Sequence, residues 1–177
     1  MSSHAQVLVL RVEEPSLVAA KVLEQIVKAK IVEPIPTDCV MGGRGYPPGT
    51  RIETAIDNPD DVRHVVPNGF EIDFPGKIEL YFPPDGGRPW VTCAACRRPL
   101  EEDVLLGHLG PRNPFRKRKL ARCPGCGDER PIEDWVAHDS AFGNLAFFFW
   151  SWHLRVDFIG RVQEWASSTF VVVDYML

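Results

Sequence analysis

Apolar residues along the chain change their spacing several times, and each change marks an element. Gln6 to Val12 (QVLVLRV) is a nearly continuous apolar, β-branched run, which predicts a buried strand. Pro15, after Glu13 and Glu14, stands where a helix can start. Val18, Val22, Leu23, Ile26 and Val27 then recur at helical spacing to about Lys30, and Pro34 and Pro36 stop the pattern. From Glu33 to Asn68 the chain is rich in Pro and Gly, and Met41 to Thr50 (MGGRGYPPGT) predicts an irregular loop. Asn58-Pro59-Asp60-Asp61 has the residues of a short helix start: a cap, a first-turn proline and carboxylates near the positive end. Phe70, Ile72 and Phe74 alternate with Glu71 and Asp73. After Pro75-Gly76, Ile78, Leu80 and Phe82 alternate with Lys77, Glu79 and Tyr81, so this stretch predicts a hairpin. Leu145 to Val156 (LAFFFWSWHLRV) predicts an aromatic strand. Asp157 is placed to cap a helix whose Phe158, Ile159, Val162, Trp165 and Ala166 share one face. Thr169 to Met176 (TFVVVDYM) predicts a closing buried strand.

The order is strand, helix, hairpin, cysteine-bearing stretch, strand, helix, strand. That order predicts an α+β fold: a mixed or antiparallel sheet with two or three helices. It resembles the ferredoxin-like order of elements. The division it suggests is a body made of residues 1–84 and 132–177, with residues 85–131 inserted as a lobe. A chain of 177 residues is long enough to bury a core without disulfides.

The cysteines bring in chemistry. There are five, an odd number that argues against a closed disulfide framework. Four form two Cys-x-x-Cys pairs, Cys93-Ala94-Ala95-Cys96 and Cys123-Pro124-Gly125-Cys126. A Cys-x-x-Cys turn aims two thiolates at one point, and two such turns supply a tetrahedron of sulfur. Gly125 and Gly127 bracket Cys126 and let the backbone turn tightly there. The CPGCG stretch resembles the knuckle of a zinc ribbon, and the resemblance covers residues 90–130. It implies one structural Zn2+ per chain held by Cys93, Cys96, Cys123 and Cys126. A redox pair is the rival reading, although RKRKLAR before Cys123 is poor context for a redox helix. Four thiolates leave no open position for water, which argues against a catalytic ion. Cys39 stands alone and reads as a small buried hydrophobe.

Charge separates the lobe from the rest. Residues 88–130 hold ten basic and five acidic side chains, a net +5, while the remainder holds ten and nineteen, a net −9. Arg116-Lys117-Arg118-Lys119 is the densest basic run, with Phe115 beside it. With Arg97, Arg98 and Arg122 it offers contacts to nucleic acid or to an acidic protein, and a solvated loop is the plainer alternative. Zinc ribbons occur in transcription and translation proteins, so that resemblance leans toward nucleic acid.

Other residue sets point nowhere definite. His4, His64, His108, His138 and His153 are scattered, and His108 is redundant as a ligand beside four cysteines. His138-Asp139-Ser140 has the residue types of a hydrolase triad, but triads converge in space rather than in sequence, and no Gly-x-Ser-x-Gly elbow occurs. Met41 to Gly45 lacks the Lys-Ser/Thr of a phosphate loop, and Asp57, Asp60 and Asp61 miss the calcium-loop spacing. No residue set marks an enzyme. The Met1-Ser2-Ser3-His4 start carries no leader pattern, and Leu145 to Trp150 is too short to span a bilayer, so a cytoplasmic protein with reduced thiols and no membrane contact is expected. The functional expectation is a zinc-binding module that meets a macromolecule through its basic lobe. The alternative is a protein–protein adaptor or homo-oligomer that uses Phe147, Phe148, Phe149, Trp150 and Trp152, should one face of that strand be exposed.

Overall fold

A computed structural model describes residues 4–41, 43–62, 65–83, 90–101, 105 and 120–176. Four strands build the main sheet: β1 (His4–Leu10), β4 (Gly69–Asp73), β11 (Leu145–Trp150) and β12 (Val171–Met176). Their order across the sheet is β12-β1-β11-β4, and every neighbouring pair is antiparallel. The fold is thus α and β mixed; its helices with described bounds are α1 (Pro15–Lys28), α3 (Val156–Ala166) and a single helical turn, α2 (Pro59–Val62).

Alternation along the strands sorts the core into two layers. Leu8 and Leu10 of β1, with Leu145, Phe147 and Phe149 of β11, face the helices. Ala19, Val22 and Ile26 of α1 meet them, as do Phe158, Val162 and Ala166 of α3. Phe149 touches Phe158 edge-on, with ring centroids 5.7 Å apart, a favoured aromatic geometry. Ala5, Val7 and Val9 of β1 point the other way and pack with Ala146, Trp150 and Val173. The aromatic strand is therefore central, with its side chains packed on both sides.

The other face is closed by two small ribbons. β2 (Thr37–Val40) pairs with β3 (Gly43–Gly45), and β5 (Glu79–Tyr81) pairs with β10 (Ala141–Gly143). This corrects the expected hairpin. Both of its strands form, but β4 pairs with β11 and β5 crosses to β10. The reason is reach: β11 offers β4 a five-residue register, from Asp73 opposite Ala146 to Gly69 opposite Trp150, longer than three-residue β5 can provide. The Tyr81 hydroxyl donates to Asp73 Oδ2 at 2.9 Å and ties the two strands together across layers. Gly143 sits where a Cβ would come within 2.4 Å of Val9 Cγ1 and 2.5 Å of the Leu10 carbonyl oxygen, so only glycine lets β10 lie this close to β1.

Two further expectations shift. Asp157 does not cap α3. The backbone stays extended through Arg155 because Trp152 and Leu154 are buried just before it, and Asp157 lies inside the first turn, paired with Arg155 at 3.0 Å. Among the described residues the final strand pairs only with β1 and so forms an edge rather than a buried strand, leaving Val171 and Val172 exposed while Val173 is buried. Cys39 is half-buried against the second core layer. Among the described residues no helix is long and apolar enough to cross a membrane.

Candidate metal centre

Each cysteine pair sits at the end of a short strand, and local backbone bonds shape both turns alike. β6 (Trp90–Thr92) runs into Cys93. There the Arg97 amide donates to the Cys93 carbonyl at 2.8 Å, and the Cys93 amide donates to the Arg98 carbonyl at 2.9 Å. β7 (Leu120–Arg122) runs into Cys123 and returns as β8 (Glu129–Pro131). There the Gly127 amide donates to the Cys123 carbonyl at 3.0 Å, and the Cys123 amide donates to the Asp128 carbonyl at 2.8 Å. The residue after each second cysteine takes a positive φ, 60° at Arg97 and 77° at Gly127. Two turns of one design therefore face each other.

Their sulfurs converge. The Sγ atoms of Cys93, Cys96, Cys123 and Cys126 all lie within 4.8 Å of one another. Cys93 Sγ is 3.7 Å from Cys126 Sγ, and Cys96 Sγ is 3.5 Å from Cys123 Sγ. A tetrahedron with metal–sulfur bonds of ~2.3 Å has edges of roughly 3.8 Å, so these separations fit one ion at the centre. A disulfide needs ~2.05 Å, and all four thiols are free. Cys93 and Cys123 are buried, whereas Cys96 and Cys126 are exposed.

Two of the thiols are shifted in opposite directions. The backbone amide of Cys126 bonds to the Cys123 sulfur and, with the Gly125 amide at 3.4 Å, draws its pKa down to about 6. Cys126 is pushed the other way, to about 12. The Asp128 amide favours its anion, but hydrogen bonds with Cys96, Cys123 and Cys93, together with burial, outweigh that. Four sulfurs this close cannot all be anions unless a cation sits among them. The donor set thus fits a thiophilic divalent ion. Beside it, Arg130 Nε donates to Asp128 Oδ2 at 2.6 Å, and this bond holds the Asp128 carboxyl below its ordinary value. The same oxygen lies 3.9 Å from Cys93 Sγ, so the Asp128–Arg130 pair braces the cluster from outside.

Around the sulfurs is a small core of its own. Val91, Leu100, Leu105, Ala121, Ile132 and Trp135 are buried together with Cys93 and Cys123. β9 (Val136–His138) pairs with β6, so Ile132 to His138 pack with the cysteine turns although they follow them in sequence. Arg11, just after β1, pairs with Asp134 at 2.8 Å, two residues beyond buried Ile132.

Of the basic residues expected to make contacts, Arg97, Arg98 and Arg122 are exposed around the turns. Arg98 lies across the second turn, where a Cβ on Gly125 would meet its Nε at 2.8 Å. Arg122 approaches Glu129 at 3.8 Å. Arg116, Lys117, Arg118 and Lys119, with Phe115 and His108, lie outside the described residues. Sequence reasoning missed two features here, the Asp128–Arg130 brace and an exposed Trp90 stacked on His138 with centroids 4.4 Å apart. The alternation Trp90-Val91-Thr92, with valine inward, is the one signal that could have placed Trp90 on the surface. No protein-family model, no curated protein and no solved structure matches this chain.

Proposed function

We propose that the four cysteines bind one structural zinc ion per chain, and that this ion fixes a zinc-ribbon-like lobe through which the protein contacts nucleic acid. One observation carries the reading: two turns with the same hydrogen-bond pattern bring four thiols within 4.8 Å of one another. Zinc suits this set because it accepts four thiolates in a tetrahedron without geometric strain. With every position filled by sulfur, the ion's work is folding rather than catalysis. The body reads as a ferredoxin-like scaffold. Its support is the order β12-β1-β11-β4, with α1 following β1 and α3 following β11. The lobe, residues 85–131 by composition, leaves the body after β5, and the pairing of β9 with β6 favours extending it to His138. A cytoplasmic setting, where thiols stay reduced, suits such a site.

Nucleic acid is favoured as partner by the +5 charge of residues 88–130 against −9 elsewhere. The contacts would come from Arg97, Arg98, Arg116, Lys117, Arg118, Lys119 and Arg122. The adaptor alternative loses its surface, because β11 lies between β1 and β4 with both faces packed. Metal analysis of purified protein tests the first half: one zinc per chain is expected, and a folded, metal-free chain overturns it. Retention on a polyanion column tests the second. Moderate salt should abolish it, and reversing the charge of Arg116 to Lys119 should weaken it; unchanged binding by that variant removes the nucleic-acid reading.

A further inference from the structure

The outer side of the β6–β9 ribbon carries an anomaly. Trp90 leaves 51% of its surface exposed, whereas Trp135 of the same lobe is 4% exposed and serves the core. Val91 turns inward and is fully buried, so the strand directs Trp90 outward by alternation. His138 stands directly opposite Trp90 in the register. The two rings stack at 4.4 Å with an interplanar angle of 23°. The imidazole is itself fixed, with Nε2 2.9 Å from the hydroxyl of buried Thr92. One face of the indole is thus stacked on an anchored ring, while half of the residue's surface stays exposed. Val136, 45% exposed, extends the apolar surface beside it.

Positive charge lies further along the same ribbon. The stretch from Arg98 to Leu100 runs along the other edge of β6, with the Leu100 amide donating to the Val91 carbonyl at 3.0 Å and the Cys93 amide to the Arg98 carbonyl at 2.9 Å. In that register Arg98 is level with Cys93, three residues or ~10 Å along the strand from Trp90, and exposed Arg97 precedes it in the turn. An exposed aromatic ring held rigid, with guanidinium groups ~10 Å along the strand, suits a base that stacks while the phosphate of a neighbouring nucleotide meets the cations. A duplex keeps its bases stacked on one another and offers no such base.

We infer that the Trp90–His138 stack is a platform for an unpaired base, and that the lobe's nucleic-acid partner is single-stranded. This rests on the reading of the lobe as a nucleic-acid contact. The test uses the full metal-loaded chain at low salt, with labelled oligothymidine, an oligouridine of the same length, a duplex of that length, and polyglutamate as an acidic-protein mimic. The single strands bind more tightly than the duplex. Trp90→Ala weakens single-strand binding about tenfold and leaves duplex binding unchanged, while Trp90→Phe keeps most of it. His138→Ala, which unseats the indole without removing it, weakens binding about threefold. Metal content and thermal unfolding of each variant match the parent, which excludes misfolding. If Trp90→Ala binds single strands as well as the parent while Arg97→Glu/Arg98→Glu does not, the platform is wrong and the nucleic-acid reading survives. If no nucleic acid binds, or polyglutamate binds as tightly, the reading itself fails and the platform with it.

Discussion

On the proposed zinc reading, removing the metal should unfold the segment around the cysteines, the proposed lobe, and spare the main sheet and its helices. Among the described residues the cluster around the sulfurs holds five large apolar side chains, Val91, Leu100, Leu105, Ile132 and Trp135, besides Ala121 and two cysteines. Burying such side chains is worth ~1.5–3 kcal/mol each, or about 8–15 kcal/mol together. A structural zinc in a small domain is worth ~10–16 kcal/mol at neutral pH. Net stabilities of whole domains are only ~5–15 kcal/mol. Losing the ion therefore removes as much as the entire apolar cluster supplies, and leaves four crowded thiols in its place. The body is different, because its twenty-residue helix-side cluster contains no lobe residue. Chelation followed by hydrogen exchange with mass spectrometry measures this directly. Amides of Arg97, Leu100, Cys123 and Gly127, each bonded to a carbonyl within the lobe, should lose protection. Amides of β1 and β11 should keep theirs. Cys123→Ser should give the same map without chelator. A chelated protein that protects the lobe amides as before would refute the assignment of its stability to the metal. Loss of protection in β1 at the same chelator concentration would refute the independence of the two cores.

Three other outcomes follow from single contacts. Gly127→Ala, at φ +77°, should weaken the second turn by ~1–2 kcal/mol, whereas Arg97→Gly, at φ 60°, should stabilise the first by roughly 0.5–1 kcal/mol after the glycine's unfolded-state entropy is subtracted; the chelator concentration that half-empties the site reports both. Burial raises the Glu71 carboxyl above 4.5 in the fold, with the Trp150 indole bond opposing and Asp73 adding to the rise. An acid whose folded pKa is raised loses stability as pH climbs from 4.5 through the folded value, so Glu71→Gln should gain about 0.5 kcal/mol at neutral pH, discounted for its half-exposed site, and nothing in acid below 4.5; urea melts at both pH values decide it. The Asn144 side chain accepts from the Val12 amide at 2.9 Å and donates to the Val12 carbonyl at 2.7 Å, so Asn144→Ala should cost ~2 kcal/mol in the same melts.

What the sequence made legible was whatever its neighbours decide. The helical spacing of Val22 and Ile26, and of Phe158, Val162 and Ala166, marked the faces that are buried. The β-branched run through Leu8 and the aromatic run through Phe149 marked two central strands. The cysteine spacing placed all four sulfurs of the cluster. Pairing was less legible, because it is settled between distant segments. Phe70 to Phe74 and Ile78 to Phe82 have the alternation of a hairpin, yet β4 finds the longer partner in β11. Thr92 and His138 stand 46 residues apart in the chain, and nothing local announces their contact or the stacking of Trp90 on the same imidazole. Exposure of the last strand was misjudged for the same reason: TFVVVDYM reads as buried, but a second sheet neighbour is lacking among the described residues.

The two cysteine turns share one geometry on unlike sequences, and that contrast bears on function. Ala94-Ala95 and Pro124-Gly125 fill the same places, and both turns close with the same pair of backbone bonds. In the second, glycine occupies the left-handed position; in the first, arginine does, at φ 60°. A left-handed arginine costs ~1–2 kcal/mol that glycine would not. Local preference therefore did not choose Arg97, and its exposed side chain has no ion-pair partner among the described residues that would repay the strain. A residue that breaks a local rule without structural return is where a functional constraint is expected. Arg97 lies in the turn that follows β6, several residues along from Trp90, within residues 88–130, whose net +5 stands against −9 elsewhere. The strain is explained if its guanidinium is needed at a phosphate, and the explanation has a sharp form: Arg97→Gly should hold metal more firmly and nucleic acid more weakly. A variant that gains on both counts, or loses on both, would leave the left-handed arginine without a reason.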